Sequence, residues 1–247
     1  MTATRERQVN DAFVHLAGAL ARREDVIELL EFLTGRCPDL LDVASAGLLL
    51  ADRSHVLHVM ATSSDAIRDL EVLQVRRAEG PCQDCYRTGE QVVVEDLSQH
   101  TDRWPQFVPA ALQAGVRSVH VVPLRLRSRT LGALGLFGSE TGTLNERDLS
   151  LAQALADVAV VALTRDQERG DQATVTARLQ GALDSRVMLE QAKGIMAQRG
   201  DLTMTQASAV LRSIAHARHL GLSEVAEAVV TRVLPAGALL EDAAARS

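Results

Sequence analysis

Residues 118–137 have the sequence SVHVVPLRLRSRTLGALGLF, which decides the fold of the N-terminal part of the chain. Two apolar runs, 118–126 and 131–137, flank the polar turn 127–129. Apolar runs separated by a short polar turn are typical of a β-hairpin. The glycines of the second run predict a bulge or a close approach of another part of the chain to its backbone.

The same pattern recurs towards the N-terminus, where two short apolar runs within 46–62 flank the turn 52–54 and predict another hairpin. Apolar spacing around the hairpins predicts helices over 1–37, 65–75, 102–115 and 145–165, and a strand at 92–94. The first of these helices is expected to close at Cys37-Pro38, because the residue before a proline is biased away from the helical region. The N-terminal part is therefore a mixed domain of sheet and helices.

Composition excludes several classes of protein. With 247 residues and 47% hydrophobic side chains, the chain forms one long domain or two small ones and is not largely disordered. The formal net charge of −6 excludes a protein that coats nucleic acid by bulk charge, and 2% aromatic residues disfavour recognition by base stacking. Three cysteines predict no disulfide framework. Without a signal peptide or membrane-span pattern, we expect a cytoplasmic protein.

Beyond the second hairpin the chain is helical, with a polar interruption. Four apolar residues spaced four, three and four apart predict a coiled-coil seam, and hence a homodimer: Leu151, Leu155, Val158 and Ala162. The stretch that follows is polar on every face and contains Gly170, so we place the domain boundary there. The predicted division is a mixed domain of sheet and helices at 1–163, a polar helical linker at 164–177, a three-helix domain at 178–234 and a frayed tail at 235–247. In the three-helix domain, Thr203 and Gln206 fit a capping box at the start of the second helix.

Residues 79–137 resemble a GAF sensor domain, and with the flanking helices the resemblance covers about residues 10–165. The segments that carry it are Glu79–Cys82, Val94–Leu97, Arg103–Pro105, Val122–Leu124 and Leu131–Leu134. The resemblance implies an antiparallel sheet flanked by helices, with a ligand held between the sheet and the loops and helices on one side. The parts of the chain expected around this ligand site supply the candidate side chains Cys82, Asp84, Tyr86, Arg103, Trp104, Arg117 and His120. The ligand itself stays unknown, and a domain that signals without a small molecule remains an alternative.

Residues 185–196, SRVMLEQAKGIM, resemble the first helix of the ANTAR domain, and Gln206–Arg212 and Leu222–Glu227 continue the likeness. ANTAR domains are three-helix RNA-binding modules that regulate transcription antitermination. The combined resemblance implies an α+β fold: a GAF-like sheet with helices, a helical or coiled-coil connector and a C-terminal three-helix bundle. The chain departs from the family at Ser208, where an aromatic residue is usual, and it lacks a family asparagine late in the second helix.

The expected RNA contacts follow from the ANTAR context. On the first helix, we expect Arg186 and Lys193, the only lysine, to share an exposed face with Ala197, beside Gly194. Cations on one stripe contact phosphates, and small residues let a nucleic-acid backbone come close. On the second helix, Arg212 and His216 lie one turn apart, outside the core face. Residues 178–234 hold seven Lys or Arg against five Asp or Glu, a net charge of only +2.

Other interpretations stay open beside this one. The cations are also consistent with an ordinary solvated face, in which Glu190 pairs with Lys193 or Arg186. A DNA-binding regulator is an alternative, because three helices with a short turn resemble a helix-turn-helix. A redox sensor through Cys82 and Cys85 is another. We expect no enzyme, since the sequence contains no phosphate loop, nucleophile elbow or zinc motif, and a single CxxC supplies too few ligands for a metal.

Overall fold

A computed structural model describes residues 2–164 and 172–234. The chain divides into two compact units. One unit comprises Met1–Arg23 with Leu29–Gln180, and the other comprises Glu24–Glu28 with Gly181–Ser247. The predicted linker falls mostly on residues 165–171, which include Gly170, and the predicted tail is 235–247; both segments lie outside the described residues.

The first unit is built on a five-stranded antiparallel sheet with the order β2-β1-β5-β4-β3. Its strands are β1 (Ser45–Ala51), β2 (Leu57–Thr62), β3 (Val92–Val94), β4 (Ser118–Leu126) and β5 (Arg129–Gly138). Strands β1 and β2 form one hairpin and β4 and β5 the other, which confirms both predicted hairpins. The close approach predicted for β5 is also present: a Cβ atom at Gly132 would collide with the carbonyl oxygen of Leu49.

Helices occupy most of the remaining chain. In the first unit they are α1 (Thr2–Arg22), α2 (Val26–Leu40), α3 (Asp65–Arg77), α4 (Pro81–Thr88), a 3-10 helix (Leu97–His100), α5 (Phe107–Gln113) and α6 (Glu146–Thr164). The sequence predicted that this helical segment ends at Cys37, but α2 continues through Pro38 to Leu40. Proline is tolerated there because it lies in the last turn, where only one intrahelical hydrogen bond is lost.

The two faces of the sheet carry different helices. Residues of α3, α4 and α5 pack with Val119 and Val121 of β4 in one core that also contains Trp104 and Phe107. Helix α6 packs against β4 and β5 and buries Ala152, Leu155, Ala156 and Ala159. In the predicted coiled-coil seam, Leu155 and Ala162 are buried, whereas Leu151 and Val158 are only half-buried.

The second unit contains most of α7 (Gln172–Gly200), together with α8 (Met204–Arg218) and α9 (Leu222–Val230). The predicted capping box is confirmed: Thr203 Oγ1 accepts from the backbone N–H of Gln206, and the Gln206 side chain accepts from that of Thr203. Asp25, which belongs to this unit, accepts from the N–H of Ser223 in the first turn of α9 at 2.8 Å. Buried side chains of the three helices include Leu189, Met196, Leu211, Ile214, Leu222 and Val225.

Candidate sensor and nucleic-acid-binding sites

The segment Glu79–Cys82 includes the start of α4 and is hydrogen-bonded to the start of α5. Glu79 Oε1 accepts from the backbone N–H groups of Gln106 and Phe107 at 2.8 and 3.0 Å and so satisfies free donors at the start of α5. Gly80 has φ of +131°, a conformation that side chains rarely adopt, and Pro81 opens α4. The segment therefore fixes the relative positions of these two helices on one face of the sheet.

Three of the predicted sensor residues form one cluster on this face. The Asp84 carboxylate accepts from Arg103 Nη2 at 2.8 Å and from Trp104 Nε1 at 3.2 Å. The Arg103 guanidinium also lies 4.5 Å from the centre of the Trp104 ring, a cation–π contact. Because Trp104 is only 2% exposed, its ring belongs to the core, and Arg103 lies over the ring.

Cys82 belongs to a buried polar group that sequence reasoning missed. Its backbone N–H donates to Gln74 Oε1 at 2.9 Å, and its thiol lies 3.6 Å from Glu71 Oε1. Gln74 Nε2 donates to the other oxygen of Glu71 at 2.7 Å. Glu71 is fully buried, and this burial raises the pKa of its carboxyl group to about 8. A signal existed in the sequence, since Glu71 follows the apolar Ile67 by four residues and so shares its helix face.

Both thiols of the CxxC segment are buried. Burial raises the pKa of Cys85 to about 12. The pKa of Cys82 lies well above its usual value, mainly because the thiol is buried and also because the carboxyl group of Glu71 is close to it. The thiolate is the reactive form, so thiols with raised pKa values are poor nucleophiles. The geometry therefore disfavours the redox alternative. In the part of the chain that the structure describes, no three histidine, cysteine or acidic side chains are grouped so as to hold a metal ion.

The other predicted sensor residues are not part of this cluster, although Tyr86 packs against the same core as Trp104. The hydroxyl group of Tyr86 lies 2.9 Å from His55 Nδ1, and Arg117 is exposed. His120 lies between Val119 and Val121 on β4, and successive side chains of a strand point to opposite faces. His120 therefore faces away from Trp104, which corrects the expectation that the two share a pocket.

On α7, the expectation of an exposed cationic stripe is wrong for Arg186 and Lys193. Their side chains are 6% and 8% exposed. The reason is geometric: Lys193 follows Leu189 by four residues and precedes Met196 by three, so it shares the buried face of the helix with both. Of the other two predicted residues on α7, Gly194 is exposed and Ala197 is half-buried.

The carboxylate of Glu190 bonds both cations. Lys193 Nζ lies 2.9 and 3.1 Å from its two oxygens, and Arg186 Nη2 lies 2.6 Å from Oε1. This pairing offsets the cost of burying two positive charges. On α8, by contrast, Arg212 and His216 are exposed, as the sequence predicted.

Comparison with known families agrees with this division of the chain. Residues 23–164, more than half of the chain, match the family model of the GAF domain. The chain belongs to the GAF domain family. Residues 177–230 match the model of the ANTAR domain. A GAF sensor followed by an ANTAR RNA-binding domain is the architecture of a signal-sensing RNA-binding regulator of transcription antitermination.

Similar solved structures cover the GAF domain. The GAF domain of the phosphoenolpyruvate-protein phosphotransferase from Acinetobacter is 15% identical with a TM-score of 0.49, over 66% of this chain and 96% of that one. The free methionine-R-sulfoxide reductase of Neisseria meningitidis is 17% identical with a TM-score of 0.49, over 70% of this chain and 91% of that one. No curated protein matches the chain.

The two domains thus provide separate candidate sites. In the GAF domain the Asp84, Arg103 and Trp104 cluster covers one core. In the ANTAR domain Arg212 and His216 of α8 are exposed, whereas Arg186 and Lys193 of α7 are buried. Among the described helices, none is both long enough and apolar enough to span a membrane.

Proposed function

We propose that this GAF–ANTAR protein binds hairpin-containing leader transcripts and controls transcription antitermination in response to a signal received by its GAF domain. It acts as a binding protein rather than an enzyme, in the cytoplasm where transcripts are made. The observation that carries the proposal is the ANTAR match over residues 177–230. The bound RNA keeps an antiterminating structure and prevents a terminator from forming.

Exposed side chains of α8 make the first contacts with RNA in this proposal. Arg212 and His216 are four residues apart and lie on one face of α8. Arginine pairs with phosphate through a planar fork of donors, and a ring N–H of the histidine donates one further hydrogen bond. These contacts set the register of the domain on the RNA backbone.

Arg186 and Lys193 contribute through an exchange of partners. In this structure one carboxylate, that of Glu190, accepts hydrogen bonds from both cations. A phosphate group offers the same kind of acceptor oxygens. RNA binding then replaces this carboxylate with a phosphate, and the neighbouring Gly194 leaves room for the backbone to approach. Since the two cations are buried in this structure, the exchange requires them to become accessible.

The small charge of the ANTAR domain supports binding as a homodimer. One domain with a net charge of +2 offers few phosphate contacts, so a monomer binds weakly. Two copies joined along 144–163 engage two hairpins, and the second contact becomes intramolecular. Along this segment Val161 is 51% exposed, and Leu151 and Val158 are half-buried, which supports an apolar contact between copies.

The test compares RNA with DNA. Fluorescence anisotropy of the full chain is measured with a labelled two-hairpin RNA and with duplex DNA over a range of salt concentrations. We expect binding to the RNA, and we expect the double substitution Arg212→Gln with His216→Gln to weaken it and to lower the salt slope by roughly one. Arg53→Gln, which removes an exposed arginine from the β1–β2 turn, is the matched control. Equal affinity for duplex DNA, or no effect of the double substitution, contradicts the proposal.

The homodimer has a separate test. Analytical ultracentrifugation of the full chain at micromolar concentration is expected to give the mass of a dimer. A monomer at every concentration measured refutes the bivalent arrangement but leaves RNA binding by a single ANTAR domain intact.

A further inference from the structure

A cavity of about 260 Å³ lies on the GAF domain where β4 begins and β5 ends. It is lined by residues 42–44, by the loop 138–144, and by Ser118 and His120 of β4. Because His120 and Trp104 lie on opposite faces of the sheet, this cavity is distinct from the cluster formed by Asp84, Arg103 and Trp104.

The inner wall of the cavity contains His120, whose hydrogen bond to the backbone determines which ring nitrogen carries the hydrogen. His120 is 2% exposed, and its Nε2 lies 3.1 Å from the backbone N–H of Leu144. A backbone N–H can only donate, so Nε2 accepts and the hydrogen of the neutral ring is on Nδ1. Burial lowers the pKa of His120 below 6.5 and outweighs the opposing effect of the Glu95 charge, which keeps the ring neutral at pH 7. Nδ1 makes no hydrogen bond with any residue that the structure describes.

The loop that forms the outer wall is held in place by backbone contacts. Ser118 Oγ donates to the carbonyl oxygen of Glu140 at 2.8 Å, and the N–H of Gly142 donates to the carbonyl oxygen of Glu95 at 2.8 Å. At its start, the carbonyl oxygen of Gly138 accepts from the N–H of Arg117. The cavity is therefore preformed, and a ligand need not order the loop when it binds.

The charges around the cavity select the class of ligand. Asp42 and Glu140 are exposed members of the lining, and none of the lining residues is a lysine or an arginine. The local potential therefore favours a cation and disfavours an anion. The Nδ1–H of His120 requires an acceptor oxygen. We propose that the cavity binds a small organic amine that also carries a hydroxyl or carbonyl oxygen, with its ammonium group beside Asp42 and its oxygen at His120 Nδ1.

Isothermal titration calorimetry of the full chain without RNA tests the ligand class. The probes are glucosamine, ethanolamine and glycinamide, with glucose as a neutral and gluconate as an anionic comparison. We expect at least one amine to bind, and glucose and gluconate to bind more weakly or not at all. No binding of any amine up to millimolar concentration, or preferred binding of gluconate, overturns the proposal.

Substitutions locate the site. Asp42→Asn is expected to weaken amine binding about fivefold, as expected for one exposed charge pair. Asp102→Asn, at another exposed aspartate, is the matched control and is expected to leave binding unchanged. In 15N-correlated NMR spectra, the Nδ1 resonance of His120, assigned with His120→Gln, is expected to shift when the amine binds. An unshifted Nδ1 together with an unaffected Asp42→Asn variant places the amine elsewhere and refutes this site.

Discussion

Replacing the buried acid Glu71 with glutamine is expected to change how the stability of the GAF domain depends on pH. Burial raises the pKa of this carboxyl group from 4.5 to about 8. Between these two values the native state keeps a proton that the unfolded state has lost. Because the native state binds more protons there, the stability that Glu71 contributes is full below pH 4.5 and falls as the pH rises towards 8.

The size of the effect follows from the shift in pKa. Each unit of pKa corresponds to about 1.4 kcal/mol, so the whole shift is worth about 5 kcal/mol. Glutamine does not titrate, yet its carbonyl oxygen still accepts from Gln74 Nε2, which now donates to Glu71 Oε2 at 2.7 Å. Between about pH 5 and about pH 8.5, the wild-type domain is expected to lose about 4 kcal/mol more free energy of unfolding than Glu71→Gln.

Urea unfolding measures this difference, and the fluorescence of Trp104 reports on the correct domain. Trp104 is the only tryptophan of the chain and lies in the core between the sheet and α3–α5. Glu90→Gln, at an exposed glutamate, is the matched control and is expected to follow the wild-type pH dependence. If the free energies of unfolding of wild type and Glu71→Gln change in parallel across this pH range, the carboxyl group is ionised in the native state. That result refutes the raised pKa of Glu71.

Three further predictions concern other parts of the chain. Glu190→Gln is expected to lower the melting temperature, because two buried cations lose a shared anion, and to raise RNA affinity several-fold in the anisotropy assay; unchanged affinity contradicts the exchange of partners. Thr203→Ala removes the capping hydroxyl of α8 and is expected to cost the ANTAR domain about 1 kcal/mol, measured by urea unfolding followed by circular dichroism. The buried thiols of Cys82 and Cys85 are expected to react with an aromatic disulfide reagent only after denaturation, and rapid reaction of the native protein revives the redox alternative.

Local patterns in the sequence predicted much of the fold. Two hairpins follow from apolar runs on either side of a polar turn, and the start of α8 follows from a hydroxyl and an amide three residues apart at Thr203 and Gln206. The end of α2 was not predicted, because a proline in the last turn of a helix costs little. Leu40 and Leu41, on either side of the observed end, are both buried.

The sites were harder to predict, since they depend on which face of an element is covered. Lys193 was expected on an exposed face shared with Arg186 and Ala197, although its spacing from Leu189 and Met196 places it on the buried face. His120 was expected beside Trp104, although its position between Val119 and Val121 places it on the other face of the sheet. The pairing of Glu190 with these cations was one of the alternatives that the sequence left open, and the structure shows it with both Lys193 and Arg186.

The burial of Lys193 makes the protein selective towards acylating reagents. The chain contains a single lysine, so its side-chain amine is the one ε-amino target for acetylation or for active esters. While that amine is bonded to Glu190 and shielded from solvent, such reagents do not reach it. The rate at which an acyl group is added to Lys193 therefore records how often α7 uncovers its ammonium group, and it can be followed by mass spectrometry without any engineered label.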